Sequence, residues 1–159
     1  MRVFTLTAES ATLAFGAALA ALAQPGAVFA LAGPLGAGKT CLARGLIDAL
    51  QPETTEEIVS PTFTLVQTYP TAKGTVWHFD LYRLKQPQDA IELGLEDALG
   101  GDISVIEWPE RLERWLPTNR IDVMLEQAGS GRRASVTGHG SFADVVRRWQ
   151  PSLPEESVA

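Results

Sequence analysis

The sequence predicts an α/β fold, a mixed and largely parallel β-sheet flanked by helices, and three observations carry that prediction. Residues 27–32 (AVFALA) and 103–106 (ISVI) are short and almost wholly apolar, as strands buried on both faces of a parallel sheet must be. Helical stretches alternate with the strands, as layered packing of helices on a sheet requires. A glycine-rich turn stands between the first apolar run and a helix, the place where α/β sheets carry binding loops.

The elements follow in order. Residues 3–6 alternate enough for a short strand, and 8–23 read as a helix with the Thr7 hydroxyl placed to cap its first turn. Gln24-Pro25-Gly26 stops that helix, and 27–32 is the first buried strand. After the glycine-rich turn a helix covers 39–50 and ends before Pro52, and 54–61 is polar and irregular. Strands at 64–69 and 75–81 are joined by a turn at Ala72-Lys73-Gly74. A helical stretch over 88–99 is broken by Gly94 and closed by Gly100-Gly101, before the second buried strand at 103–107. A short charged helix covers 110–115, where Arg111 and Arg114 among Glu110 and Glu113 read as a charge-paired surface. Strands at 121–126 and 134–137 flank a turn at Gly129-Ser130-Gly131, and a helix over 142–149 closes the fold. There is no internal repeat and no linker, so residues 1–150 read as a single domain and 151–159 as a frayed tail.

The glycine-rich turn carries chemistry. Gly33-Pro34-Leu35-Gly36-Ala37-Gly38-Lys39-Thr40 matches Gly-x-x-x-x-Gly-Lys-Thr in full, with an apolar strand running in and a helix running out. The fold is therefore expected to be P-loop NTPase-like. In such a loop the glycines let the backbone form a concave nest of N–H groups for phosphate oxygens, with the helix dipole behind it. Lys39 brings a charge to the outer phosphates, and the Thr40 hydroxyl ligates magnesium. The expected ligands are ATP and Mg2+: the Asn-Lys-x-Asp run that reads guanine is absent, and no glycine stands three residues after Asp80.

Composition narrows the class. The chain is 45% hydrophobic and 20% charged, ordinary globular values. A formal net charge of -6 argues against autonomous grip on nucleic acid. The single cysteine, Cys41, excludes an internal disulfide and a cysteine metal cluster, and at a helix start it reads as an inert thiol. Residues 13–23 are apolar behind Arg2, with Ala21-Leu22-Ala23 shaped like a signal-peptidase site. Glu9 precedes that run and a nucleotide loop follows it closely, so the segment reads as a helix on a sheet and the protein as cytoplasmic, with no membrane span.

Two carboxylates end strands beside the loop. Asp80 closes Val76-Trp77-His78-Phe79 in the manner of a Walker B aspartate, although His78 interrupts the apolar run; Glu107 closes the cleaner run 103–106. A carboxylate in that place can reach magnesium or a nucleophilic water, or be a solvated strand end. The residues alone leave the division between the two open.

Three further segments follow the loop in order: Ser60-Pro61-Thr62-Phe63-Thr64-Leu65-Val66, His78-Phe79-Asp80-Leu81-Tyr82-Arg83-Leu84 and Val105-Ile106-Glu107-Trp108-Pro109. Behind this loop they closely resemble the TsaE family, also called YjeE, over roughly residues 5–137. The resemblance implies a P-loop ATPase required for threonylcarbamoyladenosine in bacterial tRNA. It implies TsaB and TsaD as partners, TsaD carrying the transferase chemistry and ATP hydrolysis resetting the complex between turnovers. An acidic chain fits a scheme in which the partners hold the tRNA.

The resemblance also implies roles. Thr40 and Glu107 hold the magnesium, and Asp80 is left to position water, so Lys39, Asp80 and Glu107 are the expected catalytic residues. The stretch from Ser60 to Thr64 resembles a switch in which the hydroxyls of Thr62 and Thr64 sense the terminal phosphate, or else a plain loop entering a strand. Trp108 stacks near the nucleotide or packs in the core. Arg132, where the family carries Gly-Arg, reaches the nucleotide or is a solvated hairpin arginine. Thr5 and Thr12 are candidates for adenine-side contacts, and His139 reads as a loop residue. Two other functions share the loop: a small-molecule kinase, which needs an arginine-bearing lid and an acceptor pocket, and a nucleotide-sensing module without significant turnover.

Overall fold

The computed structural model describes residues 1–51, 58 and 61–153; most of the polar stretch 54–61, Ser60 with it, and the tail beyond 153 lie outside the described residues. The strands are β1 Arg2–Leu6, β2 Val28–Ala32, β3 Val66–Thr71, β4 Gly74–Asp80, β5 Ile103–Glu107, β6 Arg120–Ala128 and β7 Gly131–His139. The helices are α1 Glu9–Leu19, α2 Lys39–Leu50, α3 Asp89–Glu92, α4 Leu95–Leu99 and α5 Ala143–Arg148. One seven-stranded sheet runs in the order β1-β7-β6-β2-β5-β4-β3. Its centre, β6-β2-β5-β4, is parallel, and both edges are antiparallel. This is the mixed sheet flanked by helices that the sequence predicts.

The two apolar runs sit in the parallel centre because both their faces are covered. On β2, Phe29 and Leu31 pack toward Phe15, Leu42 and Leu46 of α1 and α2, while Val28 packs with Leu95, Ala98 and Leu112 on the other side. Each such large side chain stabilises the fold by about 1.5–3 kcal/mol. Helices α1 and α2 touch at their backbones: a Cβ on Gly16 would lie 2.2 Å from the Leu42 carbonyl oxygen, and one on Gly45 would lie 2.3 Å from that of Leu13.

Several local expectations are corrected. The N-cap of α1 is the extended Ala8, without a side-chain cap, so Thr7 does not fill that place. The Ala8 carbonyl accepts instead from the N–H groups of Ala11 and Thr12. The helix tightens into a 3-10 turn at Ala20–Leu22 before the chain stops. The stretch 88–99 divides into α3 and α4 at Gly94, whose φ of 96° lies in the left-handed region. The charged segment is a 3-10 helix, Pro109–Trp115, kinked at Glu113. Its Arg111 lies 6.0 Å from the Tyr82 ring and Arg114 5.7 Å from the Trp115 ring, so both pack on aromatic faces. Strand β3 begins only at Val66, because Leu65 turns left-handed at φ 67° and its N–H donates to the Pro61 carbonyl. The β6–β7 hairpin is longer than expected, with Ala128 opposite Gly131 and Arg120 opposite His139. His139 therefore ends a strand, with Nε2 2.8 Å from Asp122 Oδ2.

Candidate functional site

The parallel pairing of β4 with β5 sets Asp80 directly beside Glu107. Side chains alternate across a strand, so Val76, His78 and Asp80 face the α2 side with Val105 and Glu107, while Phe79 and Ile106 pack on the other. Helix α2 begins there. Its N-cap, Gly38, is left-handed at φ 103°, a conformation that costs an L side chain roughly 1–2 kcal/mol. Lys39 and Thr40 are thereby delivered to the two carboxylates.

The contacts are short. Thr40 Oγ1 donates to Glu107 Oε1 at 2.7 Å, and Glu107 Oε2 lies 2.7 Å from His78 Nε2. Asp80 Oδ2 accepts from Thr62 Oγ1 at 3.2 Å, and Oδ1 from the Tyr82 N–H at 3.1 Å. Lys39 Nζ donates to the carbonyls of Gly33 at 2.7 Å and Pro34 at 2.9 Å, and stands 4.0 Å from the centre of the Trp108 ring. Burial pushes the Lys39 pKa down from its ordinary 10.5, against the opposing pull of Glu107, Glu110 and Asp80. Trp108 is left-handed at φ 61°, and its ring packs 4.9 Å from Tyr82.

A cleft of about 290 Å³ joins these groups, lined by Leu35, Gly36, Gly38, Lys39, Thr40, Cys41, Thr62, Asp80, Tyr82, Glu107 and Trp108. A second hollow of about 270 Å³ shares Gly38 and Cys41 with it and is lined also by Leu6, Ala8, Glu9, Thr12 and Arg132. Thr12 thus reaches the loop; Thr5, on β1 opposite Arg133, does not line either hollow. Arg132 Nε donates to the Ala37 carbonyl at 2.9 Å and its Nη2 to that of Gly36 at 3.2 Å. The guanidinium pins the glycine-rich loop to the β6–β7 hairpin while also lining the second hollow. Thr64 accepts from Gln67 Nε2 on the exposed surface. Cys41 is half-buried, and burial, then Glu9, push its thiol pKa up against Arg44. Sequence reasoning missed His78 as a site residue and read it as a flaw in an apolar run; its parity with Asp80 was the available signal.

The sheet and its flanking helices define an α/β protein with a P-loop NTPase-like fold. The crystal structure of Bacillus subtilis YdiB is similar with a TM-score of 0.73 at 28% identity, over 92% of this chain and 93% of that one. The family model for the threonylcarbamoyl adenosine biosynthesis protein TsaE matches residues 6–135. Proteins described as tRNA threonylcarbamoyladenosine biosynthesis protein TsaE are 44% identical in Rickettsia bellii, over 80% of this chain and 88% of that one. The figures are 37% in Treponema pallidum, over 84% and 96%, and 34% in Bacillus subtilis, over 77% and 75%. The chain belongs to the TsaE family of tRNA threonylcarbamoyladenosine biosynthesis. Among the described residues no helix is long and apolar enough to cross a membrane.

Proposed function

We propose that this chain binds ATP with magnesium in the cleft and hydrolyses it, weakly alone and faster with TsaB and TsaD. In this reading TsaD carries the threonylcarbamoyl transfer on tRNA in the cytoplasm, the partners hold the tRNA, and hydrolysis resets the assembly. The observation that carries the reading is the convergence of Lys39, Thr40, Asp80 and Glu107 in one cleft beneath the glycine-rich loop.

The donor chemistry fits magnesium, a hard cation that takes oxygen ligands, and Thr40 and Glu107 would hold it with a hydroxyl and a carboxylate oxygen. Thr40 Oγ1 and Glu107 Oε1 are 2.7 Å apart. When bound, the ion neutralises phosphate charge. Lys39 binds the outer phosphates, exchanging the Gly33 and Pro34 carbonyls for phosphate oxygens. Asp80 orients the attacking water, and Thr62, bonded to it, carries the state of the terminal phosphate to the segment before β3. Trp108 covers the Lys39 ammonium.

Phosphate release from ATP tests this, measured with the chain alone, with small-molecule acceptors, and with TsaB and TsaD. The expected result is slow release alone and a rise with the partners, with ATP at least matching GTP in competition. Transfer of phosphate to an acceptor would make the chain a kinase. Binding without turnover in any mixture would make it a sensing module.

A further inference from the structure

We propose that His78 is a positioning residue that holds the Glu107 carboxylate in the orientation required for magnesium. The inference rests on the reading of Glu107 as a metal ligand. His78 lies on β4 between Gln67 of β3 and Val105 of β5 and has no solvent exposure. An aliphatic side chain suits such a place better, since burying a polar ring carries a desolvation cost unless its nitrogens are partnered. Here one nitrogen is partnered and the other is not: Nε2 lies 2.7 Å from Glu107 Oε2, and Nδ1 has no hydrogen-bond partner among the described residues. A carboxylate accepts, so Nε2 must be the protonated nitrogen that donates. The ring satisfies Glu107 at its own expense.

The geometry gives that bond a purpose. Glu107 is itself buried, and its two oxygens have separate tasks. Oε2 is taken by His78, which leaves Oε1 turned to Thr40. Without the Nε2–H bond the carboxylate is free to rotate about its terminal torsion, which is broad and roughly two-fold, and the oxygen at Thr40 is no longer fixed. An ion that demands near-ideal octahedral geometry is sensitive to that freedom, and partners behind a ligand tune metal affinity by about 10–100-fold.

The test is the magnesium concentration at half-saturation for binding of a fluorescent ATP analogue, in wild type, His78→Leu and His78→Gln. His78→Leu is expected to raise that midpoint by about 10–100-fold, with metal-free binding in EDTA unchanged. His78→Gln, whose amide nitrogen can donate to Oε2, is expected to recover most of the loss. A purely structural His78 would instead lower the melting temperature and leave the midpoint in place. That outcome overturns the proposal. Long-range proton–nitrogen NMR of the wild type gives a readout without nucleotide, and decides the matter if His78→Leu does not fold: the His78 signal must be that of an Nε2–H ring and must change in Glu107→Gln. An Nδ1–H ring overturns the proposal. Wild-type binding that ignores magnesium would instead overturn the underlying metal reading, and the positioning role with it, so the two failures are distinguishable.

Discussion

Glu107 and Asp80 end neighbouring strands side by side, yet they are held in different ways. Both oxygens of Glu107 are taken by side chains from regular elements, Thr40 of α2 and His78 of β4. Asp80 is held by a backbone N–H two residues on and by Thr62, which sits in the turn before β3. That turn passes through Leu65, left-handed at φ 67°, a conformation that a branched side chain resists. One carboxylate belongs to the frame and the other is coupled to a loop. A frame-held group suits an ion with strict geometry, and a loop-coupled group suits a step that follows the state of the phosphate.

The sharpest way to break this comparison is to remove each carboxylate in turn. Glu107→Ala is expected to weaken magnesium-dependent ATP binding and to abolish hydrolysis. Asp80→Asn should leave Mg-ATP affinity nearly intact while the rate falls by about 10²–10⁴-fold, since a contact made in the transition state shows in turnover. Calorimetric titration beside partner-stimulated phosphate release separates the two, and the reverse pattern would make Asp80 the metal carboxylate. Lys39→Ala removes the cation that faces both groups. It should cost about 1.5–3 kcal/mol of ATP binding, roughly ten- to a hundred-fold in affinity, in a protein that still melts cooperatively. Unchanged affinity would remove the phosphate-binding role from the loop.

Thr62→Ala acts on one side of the comparison only. Loss of its 3.2 Å bond to Asp80 should slow hydrolysis by about two- to tenfold, with the magnesium midpoint unmoved. A moved midpoint would mean that the loop governs Glu107 as well. The smallest effect concerns pH. Burial lowers the Lys39 pKa below 10.5, so the folded chain releases that proton before the unfolded chain does. Between the folded pKa and 10.5 the unfolded state binds more protons, and the Lys39 contribution to stability rises with pH across that window. Melting temperatures of wild type and Lys39→Met, compared through the alkaline range, should shift in favour of the wild type as pH rises. A flat difference would show that the ammonium is not desolvated.

What was legible in the sequence follows the range of the forces involved. The parallel centre could be read because β2 and β5 are buried on both faces, and burial is written directly into Ala27 to Leu31 and Ile103 to Ile106. The loop could be read because its backbone conformation restricts residue type, and the carboxylates because they end the strands beside it. The rest depends on contacts between distant segments. Nothing near Arg2 announces that β1 pairs with β7, and nothing near Arg132 announces that its guanidinium meets the carbonyls of Gly36 and Ala37. Thr7 has the chemistry of a cap, but the chain enters α1 one residue later, at Ala8. His78 was misread because a hydropathy run ignores which face each residue occupies.

The contact of Gly16 and Gly45 bears on how firmly the cleft is held. At Gly16 and Gly45 no side chain stands between the two backbones, hence at those two points there are no rotamers to freeze on folding and none to rearrange afterwards. The start of α2, with Lys39 and Thr40, is therefore braced at these two points by direct backbone contact. Alanine at either glycine would drive the helices apart, carry the start of α2 with them, and detune the cleft from positions that do not line it.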